Sequence, residues 1–120
     1  MYGVICYSEL DISHFDTTSL KEMGYMFFEV QVKNIDVSKW DLKNVINFSS
    51  AFAYTRNATF VINVNSTNIT WIADVFKDAA VNTGSEIIVN YTAQNESKVK
   101  EMIATKSATS NVVLGSLIEE

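Results

Sequence analysis

A chain of 120 residues, 48% of them apolar, holds enough material for one hydrophobic core and too little for two. Its formal charge of −5, with nine Lys and Arg placed singly, leaves no basic footprint, so neither nucleic acid nor an anionic membrane surface is an expected partner. One cysteine, Cys6, excludes an intramolecular disulfide, and no run approaches the roughly 20 apolar residues that a membrane-spanning helix needs.

The first residues, "MYGVICYSE", have neither the basic start nor the apolar stretch of a secretory signal. From Leu10 onward the chain spells one phrase several times. "LDISHFDTTSLKEMGYMF" at Leu10 returns as "IDVSKWDLKNVINFSSAF" at Ile35, and weaker copies begin at Phe60 and Ile87, with spacings of 25, 25 and 27 residues. Such a period points to a solenoid, with units at 10–34, 35–59, 60–86 and 87–111 and partial units at 1–9 and 112–120.

Each unit opens on alternating apolar residues: Leu10 and Ile12, Ile35 and Val37, Phe60 and Ile62, Ile87 and Val89. That alternation predicts a short strand with one face turned inward. A bulky inward residue follows at Phe15, Trp40, Val64 and Tyr91. Then comes a small polar residue, Ser19, Asn44, Asn68 or Asn95, which reads as a helix N-cap, and Ser19 with Glu22 has capping-box spacing. Helical spacing after the caps predicts inward rows of Met23, Phe48, Ile72 and Val99, of Met26, Ala51, Val75 and Met102, and of Phe27, Phe52, Phe76 and Ile103. Met1 and Tyr2 align with Met26 and Phe27, as the end of a preceding helix, and Val112 and Leu114 add a fifth strand. The expected fold is a single α/β solenoid domain over 1–120, leucine-rich-repeat-like, with a parallel sheet. Its open ends imply an excerpt of a longer array or a protomer whose ends other chains cover.

The first two units carry Asp11, Ser13, Phe15 and Asp16, then Asp36, Ser38, Trp40 and Asp41. In these residues, over 10 to about 53, the chain resembles the BspA-like leucine-rich-repeat surface proteins. Beyond that only the apolar ladder persists, with Val61 and Ile88, then Asn65 and Thr92, where the aspartates stood. The resemblance implies a curved solenoid on cell-surface lipoproteins, adhesins, or viral and phage surface proteins. It implies binding of other proteins without catalysis, and it supplies no catalytic residue.

The residues themselves agree that chemistry is not the expectation. His14, the sole histidine, falls at a turn position equivalent to Lys39, away from any pocket where a nucleophile and its base could meet. Asp11 with Asp36, and Asp16 with Asp41, stand on adjacent strands where paired carboxylates could recruit calcium; Asx-type turn capping is the favoured account, and no metal or cofactor is expected. Six Asn-x-Ser/Thr sequons, at Asn47, Asn57, Asn65, Asn68, Asn90 and Asn95, fit either a glycosylated surface or the caps of the repeat.

Two features remain as binding candidates. Trp71 shares its row with Lys21, Ile46 and Lys98, so it is an aromatic expected at the surface. The outward row Asp11, Asp36, Val61, Ile88, Val113 turns from acidic to apolar, predicting a stripe of Val61, Ile88 and Val113 across the sheet. The expected function is a non-catalytic protein-binding module of an extracellular or surface-exposed protein. The alternative is a self-assembling subunit of a fibre, coat or virion surface, with copies of itself as partner.

Overall fold

The computed structural model describes residues 9, 10, 12, 15–31 and 33–118. It is an α/β domain with a parallel sheet and one helix. In chain order the elements are β1 (Glu9–Leu10), β2 (Asn34–Ile35), β3 (Thr59–Asn63), β4 (Glu86–Tyr91), α1 (Glu96–Ile103) and β5 (Val112–Leu117). The strands pair in sequence order, β1-β2-β3-β4-β5, and every pairing is parallel. Leu10 stands opposite Ile35, Phe60 opposite Ile87, and Ile87 opposite Val112, so the apolar residues that open each stretch face one another. Ile35, Phe60, Ile62, Ile87, Val89 and Val112 are buried along the inner face of that sheet. Asp11, Ser13, His14, Cys6, Met1 and Tyr2, to which expectations were attached, lie outside the described residues.

The helix expectation is corrected in three of four places. Among the described residues only "ESKVKEMI" forms a helix, and the stretches 24–29, 49–54 and 73–78 are turns. These three lie side by side, joined by the parallel bridges Glu22–Asn47 and Asn47–Trp71. Alternate backbone N–H groups of the first two do not reach back four residues but donate to the neighbouring stretch, while those between, such as Met26 to Met23 and Ala51 to Phe48, reach back three. Met23, Tyr25, Phe27 and Glu29 donate to the carbonyls of Asn47, Ser49, Ala51 and Ala53 at 2.8–3.0 Å. Phe48, Ser50, Phe52 and Tyr54 donate in turn to Trp71, Ala73, Val75 and Lys77 at 2.7–3.0 Å.

Matching positions adopt left-handed backbone: Tyr25, Ser50 and Asp74 at φ 60, 54 and 57°, then Glu29, Tyr54 and Asp78 at 62, 63 and 53°. L-residues there carry a cost of about 1 kcal/mol or more each. The conformation persists because it turns alternate N–H groups onto the adjacent stretch while burying the side chains between them. Phe27, Phe52 and Phe76 stack with centroids 5.3 and 5.8 Å apart and planes within 8° of parallel. All three rings are buried with Met23, Phe48 and Val75 in one continuous core.

Several side-chain placements also differ from expectation. Ser19 is exposed and Glu22 accepts from Asn47 Nδ2, so no capping box forms. Asn44 donates to the carbonyl of Thr18 instead of capping, and Asn68 is exposed. Asn95 does precede α1, yet its side chain makes no cap bond and turns inward. Phe15 is 52% exposed although placed with the core, its ring 6.4 Å from that of Trp40. Trp40 is the buried member, and its Nε1 donates to the carbonyl of Ile12 at 2.9 Å. Ile72, Met26, Tyr91 and Ile103 are half-buried. Leu114 has inward parity but is exposed, because β5 is the last strand of the sheet.

Candidate functional site

On the outer face of the sheet, Val61 of β3 stands opposite Ile88 of β4, and Ile88 opposite Val113 of β5. The row expected from the sequence is therefore brought together. Val61 and Val113 are 37% and 39% exposed, while Ile88 between them is half-buried. Part of the cover on Ile88 comes from β5, whose register slips between Val89 and Tyr91. At that slip lies Gly115, where an added Cβ would sit 2.6 Å from Ile88 Cγ2 and 2.1 Å from Asn90 Oδ1. A glycine is required for the backbone to come this close.

Two residues further along β3 and β4 the apolar row gives way to the amides of Asn63 and Asn90, while β5 has Gly115. The N–H of Ser116 donates to Asn90 Oδ1 at 2.7 Å. Asn90 Nδ2 donates to Asn63 Oδ1 at 2.8 Å, and Asn63 Nδ2 to the carbonyl of Ser38 at 2.7 Å. A second amide, Asn65, accepts from the Leu42 N–H at 2.8 Å and donates to Asp41 Oδ1 at 2.9 Å. Beside these amides opens a groove of about 420 Å³, walled by Leu117 and Ile118 and by Lys39 and Asp41. Sequence reasoning missed it; the recurrence of Asn at the C-terminal ends of β3 and β4, at 63 and 90, and just after β3, at 65, was the available signal.

The model of the family described as "Mycoplasma protein of unknown function, DUF285" matches residues 4–114. The chain belongs to the DUF285 family. No curated protein and no solved structure matches it.

In this DUF285 chain Asp16, Asp36 and Asp41 serve their own turns. Asp16 Oδ1 accepts from the N–H and hydroxyl of Thr18 at 3.1 and 2.8 Å, and Asp36 Oδ1 from the N–H and hydroxyl of Ser38 at 3.3 and 2.8 Å. The Thr18 N–H, then its hydroxyl, hold Asp16 below the usual carboxylate range. The amide of Asn65, then the Lys43 N–H at 3.1 Å, do the same for Asp41. Among the described residues no cluster of three or more His, Cys, Asp or Glu is placed to hold a metal ion.

Trp71 is 54% exposed, as its row suggested, but it stands on the bridge ladder with Asn47 and not on the sheet. It is not brought together with the Val61, Ile88, Val113 row of this DUF285 domain. A further cluster was not foreseen: Tyr25, Phe28 and Tyr54 adjoin with centroids 5.3 Å apart, and Arg56 and Lys77 lie 5.4 and 5.9 Å from the Tyr54 ring. Four of the sequon amides already donate through the nitrogen a glycan would occupy: Asn47 to Glu22, Asn65 to Asp41, Asn90 to Asn63, and Asn95 to Val64 and Ser66.

Proposed function

We propose that the chain is a short leucine-rich-repeat-like solenoid, with units at 10–34, 35–59, 60–86 and 87–111, serving as a non-catalytic protein-binding module of a surface-exposed protein. The sequential parallel strand order supports the solenoid, as do side-chain bonds that tie each unit to the one before it, such as Trp40 to Ile12 and Asn63 to Ser38. The observation that carries the binding role is the aligned apolar row of Val61, Ile88 and Val113 on the outer face. Cross-strand packing of three β-branched side chains already favours the sheet, and a protein partner covering them would remove a further apolar area from water.

The test uses wild type, Ile88→Asp and Val61→Asp/Ile88→Asp as baits against surface protein extracts of cells. Retention of one defined protein by wild type, with loss in both variants and unchanged far-UV circular dichroism, supports the reading. Equal retention by all three baits, or no retention at all, sinks it.

A second reading, the self-assembling subunit of a fibre, coat or virion surface, is favoured by the edge strand. β5, "VVLGSL", is uncharged and paired on one side, with Val113, Leu114 and Leu117 exposed. Because Ile87 N–H donates to the carbonyl of Asn111, the alternate groups of Val112 and Leu114 point to the open side. Light scattering of wild type and Leu114→Pro tests it, since proline there removes an outward donor and spares the ladder with β4. An oligomer that the proline dissolves supports assembly; a monomeric wild type excludes it.

A further inference from the structure

The amide groove lies beyond the apolar row and asks for a different ligand. Its floor is a fixed array: Asn63, Asn65 and Asn90 each spend one Nδ2 proton and one Oδ1 lone pair on the protein, through five bonds of 2.7–2.9 Å to one another, to Asp41, and to the backbone of Ser38, Leu42 and Ser116. A primary amide has two donors and two acceptor sites, so each retains a second N–H and a second lone pair, oriented before any ligand arrives. Neighbouring strands of a sheet run about 4.8 Å apart, which sets the pitch of these donor and acceptor pairs.

The walls define the rest. Leu117, 52% exposed, gives one side an apolar surface. Lys39 and Asp41 contribute one charge of each sign, and Asp41 is kept ionised by Asn65 and Lys43. A phosphate or carboxylate ligand offers acceptors and needs a surplus of cations, which this groove lacks. A vicinal diol offers a donor and an acceptor on each oxygen beside an apolar C–H face. At about 420 Å³ the space is that of a small-molecule site, and it lies at the C-terminal ends of β3, β4 and β5. We propose that this groove binds a neutral glycan, with Asn63, Asn65 and Asn90 reading its hydroxyls and Leu117 packing against the ring.

The experiment titrates the intact chain with cellobiose, maltotriose, lactose and N,N′-diacetylchitobiose to about 10 mM, the range of weak single-site recognition. Proton–nitrogen NMR follows the side-chain amides. Saturable shifts of the Asn63, Asn65 and Asn90 amide signals with at least one sugar are expected. Asn63→Leu should weaken that affinity by about ten-fold or more, one lost network of about 1.4 kcal/mol. Leu117→Glu, a change at an exposed side chain that leaves the core untouched, should weaken it too, so the test survives if Asn63→Leu misfolds. Silence of the groove amides toward all four sugars overturns the proposal. So does sugar binding that both variants retain, or a response to an extended uncharged peptide with none to the sugars. None of these outcomes depends on the Ile88 face, so this groove and the apolar row stand or fall separately.

Discussion

The hydroxyl of Thr105 accepts a hydrogen bond from the backbone N–H of Phe76 at 3.0 Å, and two residues on, that of Ser107 accepts from Asp78 N–H at 2.9 Å. Elsewhere on this side the stretches donate to backbone carbonyls of their neighbour. After 73–78 the neighbour is α1 and the turn following it, and a helix spends its carbonyls on itself. The two hydroxyls replace them. Thr105→Val should therefore strand the N–H of a fully buried phenylalanine and cost about 1–2 kcal/mol, whereas Thr105→Ser should stay within about 0.5 kcal/mol. Urea denaturation of both variants checks this; equal stability would mean that water replaces the hydroxyl.

Asn95 is the amide on which most depends. It is 4% exposed, accepts from Thr92 N–H at 2.7 Å and donates to the carbonyls of Val64 and Ser66 at 2.8 and 2.7 Å. Asn95→Ala should cost about 2–4 kcal/mol, because three buried backbone groups lose their partner at once. Asn68→Ala, at an exposed position, should change stability by less than about 0.5 kcal/mol. Asn44→Ala, which loses one exposed bond to Thr18, should cost about 0.5 kcal/mol. A loss of about 1 kcal/mol or more at both Asn44 and Asn68 would restore the helix caps the sequence placed there.

That reversal shows where the sequence was legible. Strand parity was readable because Phe60 and Ile62, or Ile87 and Val89, must share a face in any extended chain, and they do. The helices were misread because Met23, Met26 and Phe27, or Phe48, Ala51 and Phe52, have a spacing that also serves stacked turns with left-handed positions four apart. What separated the cases was propensity. "ESKVKEMI" carries a Glu96–Lys100 pair, 2.9 Å apart, at i,i+4, and among the described residues it alone is a helix. "INFSSAF" has two aromatics, two serines and no such pair, and its backbone found partners across the stack. The apolar row was legible from parity alone. Of the amide groove only the recurring Asn was legible, since β5 reaches it through a register slip at Gly115 that no periodicity announces.

Phe52 sits between Phe27 and Phe76 in the stack and has no exposed surface. Phe52→Ala should cost about 3–5 kcal/mol, since neighbours held by cross-stretch hydrogen bonds cannot collapse into the void. Thermal and chemical denaturation should agree on the loss. A cost within about 0.5 kcal/mol would place the ring in solvent.

Asp41 gives a pH signature. Its folded carboxyl is depressed by Asn65 first and the Lys43 N–H second, so its contribution is present above the ordinary carboxylate pKa and is lost as pH falls through the lower folded value. The side chain is a third exposed, which limits the effect to about 0.5 kcal/mol. Wild type should be more stable than Asp41→Asn at neutral pH, and the gap should close below about pH 4. Denaturant midpoints for the two chains across that interval decide it. A gap independent of pH would mean that the carboxylate charge is not what matters there.

Gly115→Ala puts the closeness of β5 to the outer face under direct test. A methyl group at this position meets Asn90 Oδ1 at 2.1 Å and Ile88 Cγ2 at 2.6 Å, both inside contact distance. Neither can yield cheaply. Asn90 is pinned from both ends, by Ser116 N–H on its oxygen and by Asn63 on its nitrogen. Ile88 is flanked by Val61 and Val113 on the neighbouring strands. The strand must therefore lift, which releases the Ser116 and Ile118 N–H groups from Asn90 and Tyr91. The expected cost is about 1–3 kcal/mol, the range for forcing one extra carbon into a packed site. Hydrogen exchange should locate it: the amides of Ser116 and Ile118 should exchange faster in the alanine variant, while that of Phe52, bonded to Val75 far from the slip, should change only with global stability. If Ser116 and Ile118 keep their protection, β5 does not press on Ile88, and Ile88 is as open as Val61 and Val113 beside it.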